Sequence, residues 1–365
     1  MDSTTLEKRA DELTTLVADL FQVDAHYLHG NQIVLSLSHR FDPNKAIPLL
    51  KDRLTSAGYR YTLSTHEDSL LLSVNPERKL RVPTLNIVLF VVTLLSVYFI
   101  PVFWVNLNAP TLRLAVAATL DDLAAGRGLE FTAALISILF VHEMGHFLAS
   151  RRRGIVTSWP YFIPAPNFIG TFGAVIRSKS PFWSRRDLIE VGAAGPIAGW
   201  IVALGWLVYG LSHSVVTPSD MLPYAGLAFS LDGESILVKT LVPVLIGPSP
   251  PGSLYLFSEA AFAGWVGLLI TAMNMLPIGQ FDGGHVIYGL AGRRQVLFGW
   301  IALGILVALG FQSATWWVFA AIGFAFGVGH PPTLDDRRPV SLAAMVTGLV
   351  SLVILLLSFT PVPFR

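Results

Sequence analysis

Apolar and polar positions divide the chain into a polar first stretch and a longer series of membrane-length apolar runs. Residues 1–82 show helix and strand periodicity in five short runs. The helical runs are Leu6–Phe21 and Ala46–Ala57; the alternating runs are Gln32–Ser38, Tyr59–Thr65 and Leu70–Val74, with a hairpin turn at His66-Glu67-Asp68. No apolar h-region or cleavage signature opens the chain, so no signal peptide is expected. The pattern predicts a small soluble α/β domain over residues 1–82 whose role it does not indicate.

From residue 83 onward, apolar runs long enough to cross a bilayer follow one another. These runs are Thr84–Val105, Leu129–Ser150, Leu188–Leu211, Leu254–Leu276, Gln295–Phe311, Trp316–Val328 and Ser341–Val362. Trp316–Val328 is near or below spanning length. The shorter Ile236–Ile246 is predicted to be re-entrant or interfacial, and an interfacial helix is predicted at Leu112–Ala125. The fold class predicted for residues 83–365 is an α-helical polytopic membrane domain with six to seven spans.

Charge supports this division and orients it. The chain has 53% hydrophobic and 13% charged residues, and its mean hydropathy is +0.60, which indicates an integral membrane protein surrounded by lipid. Basic clusters lie at Glu77–Arg81, Arg151–Arg153, Arg293-Arg294 and Arg337-Arg338, whereas the loop Ser212–Gly252 holds only Lys239. All four clusters fall on one side if the N-terminus is cytoplasmic. We therefore expect a multi-pass protein of a prokaryotic plasma membrane, and a net charge of +1 gives no indication of nucleic-acid binding.

The candidate chemistry centres on the H-E-x-x-H motif of His142, Glu143 and His146, inside an apolar run. Residues four apart share one face of a helix, so both histidines can reach one metal ion beside Glu143. Ionisable groups within a membrane span are costly and suggest function. The pattern predicts a catalytic zinc site, and the chain has no cysteine to supply a thiolate. The alternative is an exposed helix end with solvated side chains.

A catalytic zinc usually has three protein ligands. Asp282 fits because it follows Pro277 and precedes two glycines, where a helix breaks at the cytoplasmic depth of His146. Three residues are rival ligands. Glu190 lacks a surrounding motif, and His285 is more plausible as a residue beside the site than as a ligand. Glu259 lies near the outer start of its run, at the wrong depth.

Two motifs together resemble the site-2 protease family of intramembrane zinc metalloproteases: H-E-M-G-H at His142–His146 and N-M-L-P-I-G-Q-F-D-G-G at Asn274–Gly284. The likeness covers about Leu129–Leu290, the expected catalytic core. Pro160–Pro164, Gly170–Ala174 and Ala193–Pro196 look most like the cyanobacterial and plant chloroplast branch. Met275 and Phe281 depart from the family, which often has Pro after the Asn and Leu before the Asp.

The resemblance implies that His142, His146 and Asp282 hold zinc, that Glu143 is the general base and that Asn274 lies near the active site. It implies hydrolysis of peptide bonds in or near transmembrane helices of single-span or membrane-anchored proteins. Asn274 would donate a hydrogen bond to the oxyanion or support the helix break. The departures at Met275 and Phe281 leave the ligand unchanged but bear on the bend around Asn274.

A transmembrane substrate must unwind before attack, and its exposed backbone then needs partners. The segment Ile169–Ser178 reads as a glycine-bearing strand or hairpin that can pair with an extended substrate. The residues predicted to bind substrate are Gly170, Thr171, Phe172 and Gly173. The alternative is a hairpin that only packs against the helices.

Three other functions fit parts of the pattern. A CaaX-type membrane protease also uses H-E-x-x-H but takes a later Glu, for which Glu259 is the distant candidate. A metal transporter or sensor would use a His/carboxylate site within the membrane. A silent relative acting as a scaffold is disfavoured by the intact ligands and base. Transport would tolerate Glu143→Gln, whereas hydrolysis would not.

Overall fold

The computed structural model describes residues 3–29, 32–57, 59, 61–66, 69–74, 82–153, 155, 157–178, 182–219, 228–333 and 335–363. The chain forms two compact units. The first is drawn from residues 1–83, 148–159 and 177–181, and the second from residues 84–147, 160–176 and 182–365. The predicted turn residues Glu67 and Asp68, and the predicted basic cluster Glu77–Arg81, lie outside the described residues.

The first unit is rich in strands. Its elements are α1 (Ser3–Val17), β1 (Phe21–His29), β2 (Gln32–His39), α2 (Pro43–Ser56), β3 (Tyr61–His66) and β4 (Ser69–Val74). The strands form an antiparallel sheet in the order β1-β2-β4-β3. Alternate residues of β2, Ile33, Leu35 and Leu37, join Leu13 of α1 and Leu50 of α2 in one buried core. The apolar side chains at every second position of β2 therefore form the sheet face that packs on the two helices.

The predicted helix Leu6–Phe21 is wrong at its C-terminal end. α1 ends at Val17, and Phe21 begins β1, a strand that the periodicity did not predict. The pairing of β1 with β2 shifts between Val23 and Ala25, where Asp24 is the extra residue and accepts a hydrogen bond from the Ser38 hydroxyl. This bulge breaks the alternation that would otherwise mark a strand.

Four helical stretches among the described residues are long and apolar enough to cross a membrane. They are α3 (Thr84–Asn106), α5 (Leu129–Arg152), α6 (Arg185–Leu211) and Asp282–Leu309. The last comprises α9 (Asp282–Ala291), a 3-10 turn (Gly292–Arg294) and α10 (Gln295–Leu309). Shorter helices are α4 (Leu112–Ala124), α7 (Ile236–Leu245), α8 (Glu259–Asn274), α11 (Thr315–Ala325) and α12 (Leu342–Ser358). The chain is thus a mostly helical membrane protein.

α5 is the interior helix of the second unit. Within its most apolar window 61% of the residues are buried, against 17% in α3, so α5 packs among other helices whereas α3 is largely exposed. α6 and α8 approach each other closely. A Cβ at Gly264 of α8 would lie 2.5 Å from the Leu207 backbone nitrogen of α6. Small residues thus permit the backbone contact expected between membrane helices.

The predicted run Leu254–Leu276 contains a strand before its helix. β9 (Ser253–Leu256) lies between β7 (Val215–Pro218) and β8 (Ala228–Phe229) in a three-stranded sheet. α8 begins only at Glu259, after Ser258 caps its first turn by accepting a hydrogen bond from the Ala261 amide. Hydropathy cannot separate a short apolar strand from the helix that follows it.

A two-stranded hairpin lies between α5 and α6. β5 (Tyr161–Pro164) pairs antiparallel with β6 (Thr171–Val175), with an irregularity between Phe162 and Pro164. β5 packs on α3, where the Asn86 side chain donates a hydrogen bond to the Pro160 carbonyl over 2.8 Å. α3 therefore supports this hairpin on the side of β5.

Candidate metal centre

Two elements bring the candidate ligands together. α5 carries His142 and His146 one turn apart on one face, and the loop after α8 delivers Asp282 as the first residue of α9. The two histidines are 4% and 5% exposed, and the Asp282 side chain is 16% exposed. The centre is thus enclosed by protein.

The three candidate ligand atoms form a nearly equilateral triangle. Nε2 of His142 and Nε2 of His146 are 3.2 Å apart, and Oδ2 of Asp282 lies 3.3 Å from the first and 3.2 Å from the second. Zinc bonds of about 2.0–2.2 Å in a tetrahedron require ligand atoms about 3.3–3.6 Å apart. The donor set therefore fits a zinc ion with one position left for another ligand.

The second nitrogen of His146 decides which tautomer faces the centre. Its Nδ1 lies 2.8 Å from the Val191 carbonyl of α6, which can only accept a hydrogen bond. The proton must therefore be on Nδ1, and the lone pair of Nε2 faces His142 and Asp282. Such a bond from the second nitrogen is what orients a metal-binding histidine.

Glycines of α6 leave room for the two imidazoles. A Cβ at Gly195 would lie 2.1 Å from Nε2 of His146, and one at Gly199 would lie 3.0 Å from Nδ1 of His142. The backbone of α6 therefore forms one wall of the centre. Any side chain at Gly195 would displace a candidate ligand.

Glu143 lies next to the three candidate ligands but is not one of them. It follows His142 on α5 and is 5% exposed. The backbone amide of Ile176, the residue after β6, lies close enough to its carboxylate to interact with it electrostatically. The strand β6 therefore leads directly to the predicted general base.

The four predicted substrate-binding residues have two different environments. Gly170 is pressed against α3, because a Cβ there would lie 2.6 Å from the Ser96 carbonyl oxygen, and Thr171 is fully buried. The Thr171 hydroxyl donates to the Ile163 carbonyl over 2.8 Å and accepts from the Gly173 amide over 2.9 Å. Phe172 is 71% exposed, and a Cβ at Gly173 would meet nothing within 4 Å. Gly170 and Thr171 anchor β6, Phe172 offers an accessible surface, and Gly173 is itself buried.

Among the described residues, none of the rival ligands Glu190, His285 and Glu259 belongs to the triangle. Asn274 ends α8 half-buried, at the start of the bend that leads to Asp282. Glu190 pairs with Arg186 over 2.9 Å, and the ring of His285 contacts that of His330. Glu259 accepts hydrogen bonds from the Gly128 amide at the start of α5, about 20 Å along that helix from His142.

Two features of the centre were not predicted from sequence. One is the Val191 carbonyl, which has no sequence signal because any residue supplies a carbonyl. The other is Gln295, a fully buried amide at the start of an apolar helix. Its sequence signal is a polar residue at the start of an apolar run, the same kind of signal that marks the H-E-x-x-H motif.

The second unit also matches known proteins. Residues 130–311, which include the motif helix and Asp282, match the family described as "Peptidase family M50". "Probable zinc metalloprotease EGY2, chloroplastic" is 33% identical in Arabidopsis thaliana over 270 residues, covering 70% of this chain and 46% of that protein. Its Oryza sativa subsp. indica counterpart is 32% identical over 70% of this chain and 47% of that protein. "Probable zinc metalloprotease EGY1, chloroplastic" from Arabidopsis thaliana is 29% identical over 62% of this chain and 42% of that protein.

The chain spans about half the length of the curated relatives it matches. No solved structure gave a significant match.

Proposed function

This chain belongs to peptidase family M50, and on that premise we propose that it is an intramembrane zinc metalloprotease. It hydrolyses peptide bonds in or near the transmembrane helices of single-span or membrane-anchored proteins. The observation that carries the proposal is the convergence of three ligand atoms to within 3.3 Å of one another. His142 and His146 lie on α5, a membrane-length helix that also holds Glu143, and Asp282 comes from the start of α9.

The proposed ligands are His142, His146 and Asp282. When bound, zinc supplies the Lewis acidity that amide hydrolysis needs at neutral pH, both for the attacking water and for the scissile carbonyl. Glu143 takes a proton from the water and returns it to the leaving nitrogen. Burial of Glu143 keeps bulk water from competing for that proton.

We assign Asn274 a supporting role. It stands where α8 ends, and Met275–Phe281 then lead to Asp282. Its amide would donate a hydrogen bond to the developing oxyanion or hold the bend itself. Met275 and Phe281, the two departures from the family motif, flank this bend, and Asp282 still reaches the two histidines.

The edge of β6 is the proposed docking site for the unwound substrate. An extended segment beside β6 would pair with backbone groups and pass the Phe172 side chain, which is exposed. The nearness of the Ile176 amide to the Glu143 carboxylate supports this route, because it places the end of the strand beside the proposed general base.

The proposed orientation has the N-terminus in the cytoplasm of a prokaryote, with six to seven crossings of the plasma membrane. Arg151 and Arg152 end α5, and Arg293 and Arg294 form the turn before α10. Both clusters favour the cytoplasmic side. Residues 1–82 would then act in the cytoplasm as a separate domain.

The test compares the parent protein with Glu143→Gln and Asp282→Ala, for zinc content and for cleavage of a synthetic single-span substrate. We expect about one zinc per parent chain and cleavage. Glu143→Gln should keep zinc and lose cleavage, and Asp282→Ala should bind zinc more weakly.

Each alternative predicts a different outcome. Unchanged zinc affinity in Asp282→Ala would remove Asp282 from the ligand set. A Glu143→Gln variant that cleaves like the parent would exclude the hydrolytic mechanism, whereas metal uptake without cleavage would favour a transporter or sensor. A CaaX-type site would need Glu259 as a ligand. Glu259 contacts the N-terminal end of α5, far along that helix from His142.

A further inference from the structure

The bend between α8 and α9 determines where Asp282 stands. Met275–Phe281 connect the two helices, and the first turn of α9 rests directly on this bend. A Cβ at Gly283 would lie 1.9 Å from the Met275 carbonyl oxygen, and one at Gly284 would lie 2.2 Å from that of Gly279. A shift of the bend would therefore move α9, and with it the carboxylate of Asp282.

One buried side chain ties this bend to a distant part of the chain. Gln295, the first residue of α10, is fully buried. Its Nε2 donates to the Pro277 carbonyl over 3.0 Å and to the Val328 carbonyl over 3.1 Å. Its Oε1 accepts from the His330 amide over 2.9 Å. Both amide protons and the amide oxygen are thus used on backbone groups.

The segment Val328–His330 closes the connection back to α9. The Val328 carbonyl also accepts from the Gly279 amide over 2.9 Å, so the segment contacts the bend at a second point. The His330 ring lies 2.6 Å, nitrogen to nitrogen, from the ring of His285, one turn after Asp282. This contact is a hydrogen bond, since two ligands of one metal ion would stand about 3.3 Å apart or more.

We propose that Gln295 is a positioning residue for the metal ligand Asp282. It holds the bend at Pro277 and, through Val328, at Gly279, and its hydrogen bonds are made to backbone groups and not to the ligands themselves. The amide of Gln295 is the group through which α10 holds this bend. The assignment rests on the proposed function, because it presumes that Asp282 binds the metal.

Gly299 offers an independent way to disturb the same contacts. A Cβ there would lie 2.9 Å from the Val328 carbonyl oxygen and 3.2 Å from the Pro277 carbonyl oxygen, the two acceptors of Gln295. Gly304, on the same helix, has open space around its Cβ position. Gly299→Ala and Gly304→Ala therefore form a matched pair that leaves Gln295 in place.

The experiment measures zinc affinity by chelator competition and the visible absorption of the cobalt-substituted protein. The variants are Gln295→Met, close in volume but without the amide, and Gly299→Ala, with Gln312→Met and Gly304→Ala as controls. We expect Gln295→Met to bind zinc roughly tenfold to a hundredfold more weakly and to alter the cobalt spectrum, as for lost partners of metal ligands. Gly299→Ala should also weaken zinc binding and alter the cobalt spectrum. The two controls should match the parent in zinc affinity and in cobalt spectrum.

The results separate this proposal from the proposed function. If the parent binds zinc and both variants match their controls in affinity and cobalt spectrum, Gln295 does not position Asp282 and the protease proposal is unaffected. If Gln295→Met fails to fold, Gly299→Ala decides by the same comparison. A parent that binds no zinc overturns both proposals.

Discussion

His146 is held by groups that sequence motifs do not record. Its Nδ1 donates to the Val191 carbonyl, and its Nε2 stands 2.1 Å from where a Cβ of Gly195 would be. One contact orients the ring, and the other leaves no space for the ring to turn. The position of this candidate ligand in the sequence is thus set on α5, whereas the orientation of its ring is set by α6.

A methyl group at Gly195 tests this arrangement. We expect Gly195→Ala to lower zinc affinity by about tenfold or more, because the new Cβ would occupy the place of the ligand atom. Gly205→Ala on the same helix is the control, since a Cβ there meets nothing within 4 Å. Chelator competition measures the zinc affinity of each variant. Equal zinc affinities for Gly195→Ala and Gly205→Ala would contradict the close contact between Gly195 and His146.

At the scale of elements, one carboxylate joins the starts of two helices. Glu259 opens α8, and its oxygens accept from the Gly128 amide at 2.9 and 3.0 Å and from the Phe131 amide at 3.4 Å. A negative charge at a helix N-terminus satisfies free amides and complements the helix dipole. The sequence had left Glu259 as a remote rival ligand, and the contacts give it a role in helix capping.

The β6 strand carries a prediction about substrate binding. Phe172→Ala should raise KM for a single-span substrate by about tenfold, since burying one aromatic side chain contributes about 1.5 kcal/mol or more. Zinc content should stay at the parent level. Phe311→Ala is the control, because Phe311 is similarly exposed at the end of α10, outside the hairpin. Equal KM values for Phe172→Ala and Phe311→Ala would show that β6 does not bind the substrate through Phe172.

At the scale of the whole molecule, the predicted orientation can be tested because the chain lacks cysteine. Lys51→Cys in α2 and Ser212→Cys after α6 each introduce one exposed thiol. We expect a membrane-impermeant maleimide to label Ser212→Cys in intact cells and Lys51→Cys only after permeabilisation. The reverse pattern would overturn the cytoplasmic N-terminus.

The sequence determined the features that depend on local spacing. The period of α5 alone puts His142 and His146 on one face, and the lengths of the apolar runs predict α3, α5 and α6 within a few residues. Helix ends were less certain where a short strand or a bulge intervened, as at β1 and β9. At β1 a bulge interrupts the alternation, and at β9 the distant strands β7 and β8 decide the backbone conformation.

Tertiary structure alone decided how distant segments meet. Asp282 follows His146 by 136 residues, and its 3.2 Å approach depends on the bend after α8, on the glycines of α6 and on Gln295. A family motif can point to Asp282, but no spacing rule encodes a contact between helices so far apart. The backbone carbonyls of Val191, Pro277 and Val328 take part in this arrangement, and a carbonyl is common to every residue, so only packing reveals which ones matter.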